Sequence, residues 1–163
     1  MHSVRTALLL SAGFGAVTGI RSMAGLAFLS RHLSRQPSSH SKLGAAGKLV
    51  ASRKAAAALA MLSAGEMVAD KLPTIPSRTE PAPLAGRAVF GGWAGYLVAR
   101  QRGSSGAAAA CVGAVSAVGS ASLFTRLRRR ASESRDFPAW MIAVLEDALV
   151  VSVGAALVNA LDA

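Results

Sequence analysis

Ser104-Ser-Gly-Ala-Ala-Ala-Ala-Cys-Val-Gly-Ala-Val-Ser-Ala-Val-Gly-Ser-Ala-Ser-Leu-Phe-Thr125 contains no charged residue. An uncharged apolar run of this length matches the ~20 residues an α-helix needs to cross the hydrocarbon core of a bilayer. It stops at Arg126-Leu-Arg-Arg-Arg130, a cluster suited to lipid headgroups. The residues inside it are mostly Ala, Gly, Ser and Val, with only Leu123 and Phe124 as large apolar side chains of the kind a soluble core leans on. In lipid, small residues let helix backbones approach, and that close packing drives association.

Working outward, four more apolar segments appear: Thr6–Ser30, Ala55–Leu72, Leu84–Ala99 and Phe137–Leu161. The first resembles a signal peptide at its start, but it continues past Arg21 and lacks a small-residue cleavage site. It reads as a retained helix, interrupted near Gly19-Ile-Arg-Ser22. Between segments two and three, Pro73, Pro76, Pro81 and Pro83 predict an extended connector. Lys42–Lys54 predicts a short amphipathic helix lying on headgroups. The expected fold is all-α: a single domain over residues 1–163, a polytopic transmembrane bundle of about five short spans.

Bulk composition agrees. Hydrophobic residues make up 52% of the chain, aromatics only 5%, and there are 16 glycines. Mean hydropathy is +0.42. The net charge of +10 would mark a nucleic-acid binder if it formed a stripe on an amphipathic helix. The charges instead cluster between apolar runs, as loops against anionic headgroups would. Nucleic acid is therefore not an expected partner; membrane lipids are. Cys111 is alone, which excludes an internal disulfide, and reads as a packing residue. His2, His32 and His40 read as solvated, with no helical ligand spacing between them. No cofactor is expected. No Ser or Cys is placed to pair with a His, so enzyme activity has no positive support.

Gly15-Ala-Val-Thr-Gly-Ile-Arg-Ser22 aligns with Gly113-Ala-Val-Ser-Ala-Val-Gly-Ser120. Two readings stand open: an internal repeat, with halves 6–72 and 104–161 joined by 73–103, or chance likeness between Ala/Gly/Val-rich runs. With segments two and three between them, the aligned segments would run antiparallel, giving the inverted repeat recurrent in transporters. Gly15/Gly19 and Gly91/Gly95 give two G-x-x-x-G faces, suited to close packing or to a homodimer. Lys and Arg nearly balance between alternate loops, so orientation stays undecided.

Ionisable groups inside lipid cost ~2.5–3.5 kcal/mol each on insertion scales, so they mark function or tight structural pairing. Here they are Arg21, Glu66, Glu146 and Asp147, with Asp70, Lys71 and Arg87 nearer segment ends. Arg87 is expected to snorkel to the interface. Glu146 and Asp147 are adjacent, so their side chains diverge by ~100°. One reading pairs Arg21 with a carboxylate and locks the helices. The other counts one deep cation against three deep acids, which suits a proton- or cation-coupled path. Ser77-Arg78-Thr79 offers hydroxyls and a guanidinium to phosphate or carboxylate oxygens, or else ties down its own loop.

Gly19-Ile-Arg-Ser22, Gly65-Glu-Met-Val-Ala-Asp-Lys-Leu-Pro73, Pro76-Ser-Arg-Thr-Glu-Pro81, Leu84-Ala-Gly-Arg87 and Leu145-Glu-Asp147 together resemble the bacterial membrane proteins of domain-of-unknown-function family 4126. The resemblance covers nearly the whole chain and is most specific in the Asp-Lys-Leu-Pro…Pro-Ser-Arg-Thr block. It implies a small multi-pass protein of the bacterial inner membrane and carries no activity with it. The candidate binding residues are thus Arg21, Ser22, Glu66, Asp70, Lys71, Ser77, Arg78, Thr79, Arg87, Glu146 and Asp147. The functions expected are a channel or transporter with an Arg/carboxylate path, a lipid- or polyprenyl-phosphate-binding scaffold, or an assembly subunit.

Overall fold

The computed structural model describes residues 2–36, 43–69, 80–133 and 139–162. These form α1 (His2–Ile20), α2 (Ala24–Ser34), α3 (Gly44–Val50), α4 (Arg53–Ala69), α5 (Pro81–Gln101), α6 (Gly106–Glu133) and α7 (Ala139–Asp162), with no strand among the described residues. The fold is all-α, as expected. Two stretches, Gly106–Ala131 and Trp140–Asp162, are long and apolar enough to cross a membrane, and Val4–Ile20 is a shorter apolar helix.

Small residues set the spacing of α1, α5 and α6. A Cβ at Gly15 would overlap the Gly113 carbonyl, so the α1 and α6 backbones touch there. Gly19 meets Ala117 and Ser120 in the same way, and the Ser120 hydroxyl donates to the Ala16 carbonyl at 2.8 Å. Gly91 and Gly95 of α5 rest on Gly113, Ala117 and Ala109. Both G-x-x-x-G faces are therefore filled within the chain, by α6, and neither is open to a second copy.

These contacts fix direction. Numbers rise together along α1 and α6 (Gly15 with Gly113, Gly19 with Ala117), so the two helices are parallel. Along α5 and α6 they run oppositely. The antiparallel relation that an inverted repeat requires of the two aligned stretches is absent. The reason is one extra reversal. The chain turns at Arg21-Ser22-Met23, and α2 returns along α1, with Gly25 against Phe14 and Thr18.

After the reversal, passes alternate between two ends. At one end the α2 terminus meets the ends of α5 and α7. Gln36 donates to Asp162 at 2.8 Å, Arg102 donates to the Ala160 carbonyl at 2.9 Å, and Gln101 lies 3.0 Å from His32 Nε2. His32 is buried in α2, not solvated in a loop, because α2 runs on to Ser34. Cys111 faces outward from α6 and is exposed, so it is not a packing residue. The helix expected near 42–54 is α3, but Leu43 and Val50 plug the core beside Leu29, Leu33 and Leu97. Pro81 and Pro83 begin α5 instead of preceding it. In a first turn their missing N–H groups have no helical partner to lose.

Candidate functional site

The turn at Arg21 holds most of the predicted site residues that the structure describes. Breaking a helix leaves first-turn N–H groups without partners. Met23 takes the N-cap position of α2 and makes no side-chain cap. Glu66 of α4 does so instead. Its carboxylate accepts the backbone N–H of Ser22 at 3.0 Å and of Met23 at 3.4 Å. A carboxylate at a helix N-terminus also meets the positive end of the helix dipole. Arg87 of α5 donates to the same Glu66 oxygen at 3.3 Å and to the Pro83 carbonyl at 3.3 Å. Arg87 is buried, so it does not snorkel out; Glu66 holds it inside.

Arg21 is 0% exposed and donates twice to Asp147 Oδ1 of α7, from Nε at 3.0 Å and Nη2 at 2.6 Å. The neighbouring acid points elsewhere, as helical geometry requires. Glu146 accepts from Arg128 of α6 at 3.0 Å. The three acids thus face three guanidinium groups: Arg21, Arg87 and Arg128. Counting along the sequence missed the last two, because Arg128 reads as a helix-stop signal and Arg87 as interfacial. The surplus of deep negative charge disappears, and a guanidinium with no accessible surface touches no water-sized passage.

The structure therefore brings Arg21, Ser22, Glu66, Arg87 and Asp147 to one junction of α1, α2, α4, α5 and α7, while Glu146 pairs with Arg128 of α6. Asp70, Lys71, Ser77, Arg78 and Thr79 lie outside the described residues. Chemically the junction is a closed set of salt bridges. Buried pairs of this kind fix geometry, and removing one partner leaves a charge stranded.

A second feature was not foreseen. A groove of about 580 Å³ runs between α2 and α4. On α4 its lining recurs at Arg53, Ala56, Ala57, Ala60, Ser63, Ala64 and Met67, which is one helical face. On α2 the lining is Ala27, Phe28, Arg31, Ser34 and Arg35, again one face. The alanines leave the space, and Phe28, Met67 and Val151 complete the apolar wall. Arg31, Arg35 and Arg53 gather at one end because α2 finishes where α4 starts. From Arg53 to Met67 the groove follows α4 for ~21 Å at 1.5 Å per residue. The sequence signal was the Arg31/Arg35 spacing of four, in phase with Ala27.

No protein-family model, curated protein or solved structure matches this chain.

Proposed function

We propose that this chain is a multi-pass protein of the bacterial inner membrane that binds a phosphate-headed lipid in the α2–α4 groove. One observation carries the reading: an apolar channel of acyl-chain length with three arginines at one end. Arginine forks suit phosphate oxygens, and the alanine floor suits a hydrocarbon chain. The resemblance to domain-of-unknown-function family 4126 is consistent with this setting.

Several features support the membrane setting. In each candidate span only 22% of the apolar window is buried inside the protein. Leu9, Met61 and Val115 are 73%, 75% and 71% exposed. Soluble proteins rarely expose apolar surface so broadly. Asp147 precedes Asp162 by four helical turns, which sets the Arg21 junction ~22 Å from the His32 end. In a core ~30 Å thick the turn would then lie inside the membrane. On this reading α6 and α7 cross fully, and α1–α2 is a re-entrant hairpin, in place of five plain spans. Irregular backbone at membrane depth must be buried in protein and satisfied there. The Glu66 carboxylate, which accepts the Ser22 and Met23 N–H groups, and the Arg21 carbonyl, which accepts that of Ala24, meet that need.

The transport reading has less support. Where a half-helix N-terminus faces a transported anion, the site must be open; here Glu66 occupies it. A homodimer would need a face other than the two glycine faces.

The test is lipid retention by native mass spectrometry of the purified protein, compared with Ala60→Phe. Retained phospholipid in the natural protein and its loss in the folded variant support the groove. Equal retention in both removes it as the site.

A further inference from the structure

A second cavity of about 270 Å³ opens beside the basic end of the groove, and the two share Phe28, Arg31 and Arg35. Its other wall is the last turn of α7. There it presents Asn159 and Asp162, and facing them are His32 of α2 and Gln36 just past the end of that helix. One water needs only ~10–15 Å³ of such space, so the chamber admits a small polar group. Its chemistry differs from that of the groove. The groove end offers guanidinium donors, whereas the chamber adds a carboxylate and amide oxygens.

We infer that this chamber reads the alcohol esterified to the lipid phosphate, and that it favours a short chain ending in a primary ammonium. This rests on the lipid-binding reading of the groove. A phosphate held by Arg31 and Arg35 would project its substituent across to α7. Asp162 is there, 54% exposed, with its Oδ1 accepting from Gln36 at 2.8 Å. An ionised carboxylate has about four lone-pair sites, so Gln36 leaves it acceptor capacity. A primary ammonium supplies N–H donors and a charge opposite to that of Asp162. A quaternary ammonium brings the charge but no donor, and a monoester phosphate brings neither. Gln36 also accepts from Gln101 of α5 at 3.3 Å, which fixes the chamber wall to a third helix.

The experiment measures binding of the full-length protein to four lipids with identical acyl chains: phosphatidylethanolamine, phosphatidylcholine, phosphatidylglycerol and phosphatidic acid. Natural protein and Asp162→Asn are compared, with Asn159→Ala as a second variant on the same wall. The expected result is a preference of about tenfold for the ethanolamine lipid over the choline lipid, equivalent to ~1.4 kcal/mol. In Asp162→Asn that preference falls to about twofold, while phosphatidic acid binding stays nearly constant. Equal ethanolamine and choline binding, a glycerol preference, or an ethanolamine preference untouched by Asp162→Asn and Asn159→Ala would each overturn the inference while leaving lipid binding intact. Failure to bind any of the four would instead remove the groove reading, and this inference with it.

Discussion

The Glu66 carboxylate accepts the backbone N–H of Ser22 at 3.0 Å, across 44 positions of sequence. Through that bond α4 braces the start of α2, and the reversal at Arg21 is held by a distant helix as well as by the local bond from the Ala24 N–H to the Arg21 carbonyl at 3.1 Å. Arg87 steadies the same carboxylate at 3.3 Å. Glu66→Ala should therefore remove the carboxylate that faces Arg87 and loosen the Ser22–Met23 turn together, with a loss of about 3–5 kcal/mol. Glu66→Gln keeps an acceptor for Ser22 and should lose less. Thermal unfolding in detergent, followed by helicity, reads the difference.

The Arg21–Asp147 pair supports a double-mutant cycle. Arg21→Met and Asp147→Leu should each cost about 3–5 kcal/mol, since each leaves one buried charge without its partner. Together they should cost much less than the sum, because the second change removes the stranded charge. Additive losses would show that the two side chains do not interact.

The glycine contacts predict opposite signs at two positions. Gly15→Ala puts a Cβ into the Gly113 carbonyl and must part α1 from α6, so a loss of about 1–3 kcal/mol is expected. A Cβ at Gly65 meets nothing within 4 Å. Gly65→Ala should therefore gain about 0.5–1 kcal/mol from helix propensity alone. Paired melting curves check both.

The apolar runs were legible because length and hydropathy are properties of local sequence. Segments at 84–99 and 104–125 became α5, extended at both ends, and α6, which starts at Gly106 and runs on to Glu133. The reversal was not legible. Gly19-Ile-Arg-Ser22 signalled an interruption, but whether the chain bends or doubles back depends on Glu66 waiting at the turn. That one reversal also changed the sense of α6 relative to α1 and undid the inverted repeat. Arg21, Glu66, Glu146 and Asp147 were found by their cost in lipid. Their pairing was not, because Arg128 reaches Glu146 from a stretch that reads as a helix-stop signal. The groove was invisible for a different reason. Ala56, Ala57, Ala60 and Ala64 look like ordinary small residues until α2 is laid beside them.

The most direct test of the lipid-binding claim is the affinity of the purified protein for phosphatidylglycerol and for the matching diacylglycerol, which lacks the phosphate. Natural protein is compared with an Arg31→Gln/Arg35→Gln/Arg53→Gln variant shown to be folded. The prediction is that phosphatidylglycerol binds well above diacylglycerol, and that the triple variant loses at least about tenfold, ~1.4 kcal/mol. The loss should shrink the salt dependence of binding as well. Equal binding of the two lipids, or an unchanged affinity in the folded triple variant, would contradict the account.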